Sequence, residues 1–135
     1  MTGCLLRVVD SITELGADDA DCIAISGSHG GLSSARYALA AHPLLAVFND
    51  AGVGKDAAGI AGLDWLQERG VAACTVSHTS ARIGQAASTL ADGVLSHANA
   101  LARSLGLQTG LALAPQIEEL TRRHACETPP PADTF

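Results

Sequence analysis

Cys22-Ile23-Ala24-Ile25-Ser26, running straight into Gly27-Ser28-His29-Gly30-Gly31, decides the fold. The apolar run is continuous rather than alternating, which marks a strand buried on both faces. The glycines make a tight turn. Leu32 to Ala41 then reads as a helix that His42-Pro43 ends. The same rhythm recurs downstream in Leu44-Leu45-Ala46-Val47-Phe48-Asn49 and in Val71-Ala72-Ala73-Cys74-Thr75-Val76-Ser77. Leu5-Leu6-Arg7-Val8-Val9 adds a strand upstream, and Leu111 to Ala114 is either a further short strand or helical.

Helices fill the intervals. Asp56 to Glu68 is expected as a helix with Asp56 as N-cap, Ile60, Leu63 and Leu66 on one face, and Gly70 as its stop. The longest helix is expected from about Ala81 to Leu105, capped by Thr79 or Ser80. Ile83, Leu90, Val94, Leu101 and Leu105 would share its buried face. Gly93 inside it costs about 1 kcal/mol relative to Ala and marks a close contact or a bend. Strands alternating with helices give right-handed βαβ units. The expected architecture is α/β: a small three-layer α/β/α sandwich with a mostly parallel sheet of four or five strands. Residues 1–126 make one domain, and the Pro-rich segment 127–135 is expected to be a mobile tail.

Composition bounds the function. The chain has 135 residues, of which 47% are hydrophobic, 16% charged and 3% aromatic, so it can bury an aliphatic core. A net charge of -6 argues against a general nucleic-acid binder, which needs a basic face. No apolar run approaches the roughly 18 residues of a membrane span. Met1-Thr2-Gly3-Cys4 lacks the basic start of a signal peptide, so a cytoplasmic protein is expected. Cys4, Cys22, Cys74 and Cys126 form no C-x-x-C pair. Cys22 and Cys74 read as buried small hydrophobes. So apolar a chain is expected to cover an edge or a helix face with a second copy, as a homo-oligomer.

The chemistry is expected where the parallel strands end, because open α/β sheets bind ligands outside their carboxyl edge. Three consecutive strands run into polar turns: Ser26-Gly27-Ser28-His29, Asn49-Asp50-Ala51-Gly52-Val53-Gly54-Lys55 and Ser77-His78-Thr79-Ser80-Ala81-Arg82. The first turn is not the G-x-G-x-x-G of dinucleotide sites. The second fails as a phosphate loop, which needs Gly at position 49 and Ser or Thr at 56, where Asn49 and Asp56 stand. No cofactor motif is left. Lys55 is the sole lysine of the chain. Arg82, in the first turn of the expected long helix, sits at the wrong end for the helix dipole unless it faces an anion or a carboxylate such as Asp50.

His29-Gly30 and the stretch from Val47 to Ala73 resemble the His-bearing and Cys-bearing turns of caspase-type peptidases. No Cys lies between Cys22 and Cys74, so the thiol such a peptidase needs is missing.

The expected function is an enzyme of hydrolase or lyase type acting on a small anionic, carboxylate- or amide-bearing molecule. His29 and His78 would be acid and base, and Asp50 would orient one of them or act as base. Lys55 and Arg82 would hold the anion, and Ser26, Ser28, Asn49, Ser77 and Ser80 would add hydrogen bonds. A non-catalytic metabolite-binding or accessory subunit would use the same crevice. A third reading makes His29, Asp50 and His78 ligands of a metal used in hydrolysis. His97 is read as a helical solvent or subunit-contact residue.

Overall fold

The computed structural model describes residues 5–124. Cys4, Cys126 and the Pro-rich segment lie outside the described residues. Five strands form one sheet in sequence order. They are β1 (Leu6–Val9), β2 (Ile23–His29), β3 (Leu45–Asn49), β4 (Ala72–Val76) and β5 (Leu95–Ala98). The first four are parallel, and β5 joins β4 antiparallel. The described helices are α1 (Leu32–Ala41), α2 (Ala61–Glu68), α3 (Ala86–Asp92), α4 (Ala100–Ser104) and α5 (Leu113–Arg123). The fold is the α/β sandwich expected.

Two cores lie on opposite faces of the sheet. Ala24, Ala46, Phe48 and Ala73 meet Ala35 and Ala38 of α1 and Leu63 and Leu66 of α2. Ile23, Ile25, Val47, Cys74 and Val76 meet Leu113, Ile117 and Leu120 of α5, with Leu90 of α3 packed at the margin. The strand residues alternate between the two cores because side chains alternate along a strand. That is why the runs read as continuous rather than amphipathic. The sheet also keeps Cys22 and Cys74 apart on opposite faces, as free buried thiols. Burial raises the pKa of the Cys22 thiol to about 11 and pushes that of Cys74 up as well. No described helix is long and apolar enough to cross a membrane.

The long helix from Ala81 to Leu105 does not form. Its sequence divides into an irregular segment, α3, β5 and α4. Gly93 is the first break. A Cβ there would lie 2.3 Å from the Thr89 carbonyl oxygen and 2.6 Å from Val76 Cγ1. The chain then turns out to pair with β4. Asn99 is the second break. It caps α4 by accepting from Ala102 N–H, and it also accepts from Ala73 N–H while donating to the Leu63 and Val71 carbonyls. The sevens-and-fours spacing is therefore not one helical face. Leu95, which lies off that spacing, is fully buried. Ladder bonds to β4 outweigh the helix preference of this alanine-rich stretch.

Three smaller expectations change. Asp56 does not cap α2, which begins at Ala61 with Ile60 at its N-cap. Neither Thr79 nor Ser80 caps a helix, and Gln85 takes that place before α3. At Leu111 to Ala114 the chain makes only a Val94–Ala112 bridge before α5 starts. α1 ends at Ala41 as expected, with His42 in the left-handed region before Pro43.

Asn99→Ala should be the most damaging polar substitution in the fold. It would strip partners from four buried backbone groups in β4, α4, α2 and the turn before β4. We expect a loss of about 3 kcal/mol or more in chemical denaturation, given about 1–3 kcal/mol per unsatisfied buried group. A loss under about 1 kcal/mol would show that Asn99 is not this junction.

Candidate functional site

The carboxyl ends of β2, β3 and β4 lie side by side. His29 is in register with Asn49, and Asn49 with Val76. The backbone stitches the turns that follow: Gly30 N–H donates to the Asn49 carbonyl at 3.0 Å, and Asp50 N–H to the Val76 carbonyl at 2.9 Å. Ser26 to His29, expected as a turn, continue β2, so the chain turns there only at Gly30-Gly31; the turns after β2, β3 and β4 leave the sheet along one edge. In β2, Gly27 allows the irregular turn 82–85 to cross the strand, since a Cβ would lie 2.4 Å from Gln85 N.

The turn after β3 is an Ω-loop from Asp50 to Gly59. Its ends touch: a Cβ on Gly59 would lie 2.0 Å from the Asp50 carbonyl oxygen, and Gly59 N–H donates to the Val53 carbonyl at 2.7 Å. Ala51, Gly52, Val53, Gly54, Asp56 and Ala57 all have left-handed φ. Positive φ is costly for any side chain and most for a β-branched one such as Val53, so the loop is held by its surroundings rather than by its own preferences.

Asp50 supplies much of that hold. Its side chain is only 6% exposed. Oδ1 accepts from Gly52 N–H at 2.8 Å and from His78 N–H at 3.0 Å, and lies 3.4 Å from His78 Nδ1. Burial alone would raise the Asp50 pKa. The Gly52 amide, the Ser96 hydroxyl and His78 outweigh it and hold the carboxyl below its usual range. Asp50 is thus an ionised, buried carboxylate set against an imidazole that is itself 55% exposed.

His29 and His78 are fixed in complementary ways. Gly31 N–H donates to His29 Nδ1 at 3.0 Å. A neutral His29 ring then carries its proton on Nε2, the free nitrogen. His78 turns Nδ1 toward the carboxylate, so a neutral ring carries its proton there and leaves Nε2 as a lone pair. The Ω-loop joins the two. His78 packs beside Gly52, whose Cβ would lie 3.6 Å from its Cε1. Ala51 and Val53, on either side of Gly52, line a cleft of about 340 Å³ with His29.

A second cleft, of about 380 Å³, lies across the same loop and is bordered by Asp56, Ala57, Asp64 and His97. A bulge in β5 builds its far wall. Thr75 pairs with His97 and Val76 with Leu95, which makes Ser96 the extra residue. The bulge brings both side chains to Thr75, whose Oγ1 is 2.9 Å from Ser96 Oγ and 3.5 Å from His97 Nδ1. Ser96 escaped the sequence reading, and His97 was read as a helical solvent or subunit-contact residue, because both were assigned to the helix that does not form; the structure places them in β5. The usable signals were Gly93 before them and the capping Asn99 after.

The other expected residues divide by burial. Ser26 and Asn49 are fully buried and committed to the backbone. Ser26 donates to the Val47 carbonyl, and Asn49 donates to the Ala81 carbonyl and accepts from Ala51 N–H. They brace the strand ends and present nothing to solvent. Ser28 accepts from Ile12 N–H, and Ser80 spans the Ser77 carbonyl and Val94 N–H. Ser77 Oγ lies 3.3 Å from Thr79 Oγ1. Lys55 and Arg82 are exposed, and among the described residues neither enters an ion pair. The carboxylate of Asp50 is taken by His78 rather than by Arg82, which lies in the irregular segment before α3 and not in a helical turn. Among the described residues no three His, Cys, Asp or Glu side chains converge as a metal site.

Comparison with known proteins adds no relative: no family model, no curated protein and no solved structure matches the chain.

The lowered pKa of Asp50 predicts a pH dependence of stability. Its folded value lies below the unfolded one, so its contribution is complete above about pH 4 and is lost as pH falls through the folded value. Asp50→Asn should lower stability at pH 7 and flatten the acid limb of the stability–pH profile. Parallel acid limbs for the two proteins, in urea titrations from pH 7 to 2.5, would contradict this.

Proposed function

We propose that the chain is an acid–base enzyme of hydrolase or lyase type that acts on a small carboxylate- or amide-bearing molecule at the carboxyl ends of β2, β3 and β4. The observation that carries this reading is the buried Asp50 carboxylate set against His78 Nδ1, on the loop that also borders the cleft of His29. His78 Nε2 is the base. It takes a proton from water in a hydrolysis, or from the carbon next to the activating carbonyl in an elimination. Asp50 stabilises the imidazolium formed. His29 Nε2–H is the acid and gives its proton to the leaving group. Lys55 and Arg82 supply charge for the anion near the rim, and Ser77 is a hydroxyl directly beside the base in sequence.

A non-catalytic metabolite-binding subunit is the second reading. The largely apolar lining of the His29 cleft favours it, because binding alone needs no base. The reducing environment of the cytoplasm suits the free, separated Cys22 and Cys74. A second copy of the chain would cover exposed apolar groups such as Val8 on the edge strand β1 and Leu32 and Tyr37 on α1. Sedimentation velocity should therefore give a mass above one chain, and a monomer at micromolar concentration would remove that part of the reading.

Ring-nitrogen NMR tests the acid–base assignment without a substrate. At a pH where both rings are neutral, His29 should show the Nε2–H form and His78 the Nδ1–H form, with Asp50→Asn shifting only His78. A panel of small amides, esters and hydroxy or amino acids, followed by proton NMR, then tests turnover. His78→Ala should cut any turnover by about 100-fold or more. An Nε2–H form at His78, or turnover indifferent to His78 and Asp50, sinks the proposal.

A further inference from the structure

We infer that the His29 cleft takes the aliphatic tail of a short-chain monocarboxylate, with the carboxylate at its rim. The inference rests on the acid–base reading and names the substrate class it lacks. Four apolar side chains, Ala51, Val53, Ala58 and Ile83, line the cleft, and His29 brings its only ionisable one. The volume of about 340 Å³ lies at the lower end for small-molecule sites, which are mostly apolar with a few placed polar groups. A compact tail fits it better than a sugar or a nucleotide, whose many polar groups would lose water without partners.

Ile83 is the clearest sign. It is 54% exposed, although β-branched aliphatic residues are among those most often buried. It belongs to the irregular segment before α3 and faces the Ω-loop across the cleft. An isolated exposed isoleucine means little, but one that walls a cleft shared with a donor-ready histidine has something to cover.

The charges complete the match. Lys55 directly follows Gly54, a lining residue, and Arg82 directly precedes Ile83. Both cations are exposed and, among the described residues, without a carboxylate partner. The chain as a whole is acidic, at -6, so two cations that each adjoin a lining residue in sequence run against its overall charge. The nearest buried carboxylate, Asp50, is engaged by His78. Asp56 lines the other cleft. An apolar floor with a cationic rim and one Nε2–H donor is complementary to a carboxylate with a hydrocarbon tail. It is not complementary to an amine or to a dianion with no apolar part.

The test is a titration of the ¹⁵N-labelled protein with acetate, butyrate and hexanoate at fixed ionic strength, with hexanamide as the neutral control. The Gly52, Gly54 and Ile83 amides are followed. The dissociation constant should fall by about fourfold for each methylene buried. Hexanamide should bind several-fold more weakly than hexanoate, and Lys55→Gln with Arg82→Gln should erase that difference. Ile83→Ala should weaken hexanoate several-fold and leave acetate unchanged; Ile83 is exposed, so the variant should fold. Affinity that does not change with chain length, or shifts confined to amides away from the cleft, overturns the inference. Equal binding of hexanoate and hexanamide overturns the cationic rim. These results are independent of the His78 tautomer, so failure here and failure of the acid–base reading are told apart.

Discussion

A single buried carboxylate organises this end of the sheet. Asp50 leaves β3 with its side chain directed at the Gly52 amide of its own loop and at the backbone and ring of His78 beyond β4. An ionised carboxylate removed from water is unfavourable unless donors replace its hydration. Here they do, and the price is geometry. The donors must stay where they are, which fixes the loop after β3 against the turn after β4. Left-handed φ at Ala51 and Val53 is tolerated because the loop is tied at Asp50 and closed where Gly59 lies on the Asp50 carbonyl. Remove the charge, and the strain loses its counterweight.

The second junction is apolar in setting but polar in means. Asn99 ends β5, starts α4 and saturates backbone groups of α2 and β4 with one amide. It fixes where β5 stops, and the bulge within β5 fixes which way Ser96 and His97 face. The Ser96 hydroxyl bonds to Thr75, so the antiparallel edge strand is tied to the strand next to β3 close to where the site lies. A regular ladder, with side chains alternating strictly, would send Ser96 and His97 to opposite faces. The extra residue is what brings both to Thr75.

The parallel strands were legible because burial on both faces leaves a continuous apolar signature, and glycine or proline punctuates each end. Cys22 to Ser26 and Val71 to Ser77 could hardly be anything else. The three polar turns followed from that reading, since parallel neighbours must end on one side. The region after Ala81 was not legible for a physical reason. Its alanines and leucines favour helix locally, and the unpaired edge of β4 is a non-local partner that periodicity does not see. Gly93 and Asn99 carried the contrary information, but a single glycine or asparagine weighs little against a sevens-and-fours pattern. Within the turns, residue type did not separate bracing from exposed groups. Ser26 and Asn49 look like ligands in the sequence, and burial turns them into struts. Ser77 and His78 follow in the same kind of turn and stay accessible.

The two histidines show how environment divides labour between identical side chains. One ends a parallel strand and the other follows one, and both meet one hydrogen-bonding group through Nδ1. At His29 that group is a donor, the Gly31 amide, which can sit so close only because residue 31 has no Cβ; one would lie 2.7 Å from the ring nitrogen. At His78 it is an acceptor, the Asp50 carboxylate. A donor at Nδ1 forces the proton onto Nε2, and an acceptor at Nδ1 draws it away from Nε2. The outward-facing nitrogens are therefore opposite in character without any difference in residue type. Acid–base chemistry at one pH needs such a pair, with environments that push two titratable groups into different roles. Here the difference is built into backbone and carboxylate positions rather than left to solvent. Gly31 and Asp50 set the proton positions on the two neutral rings as much as the histidines do.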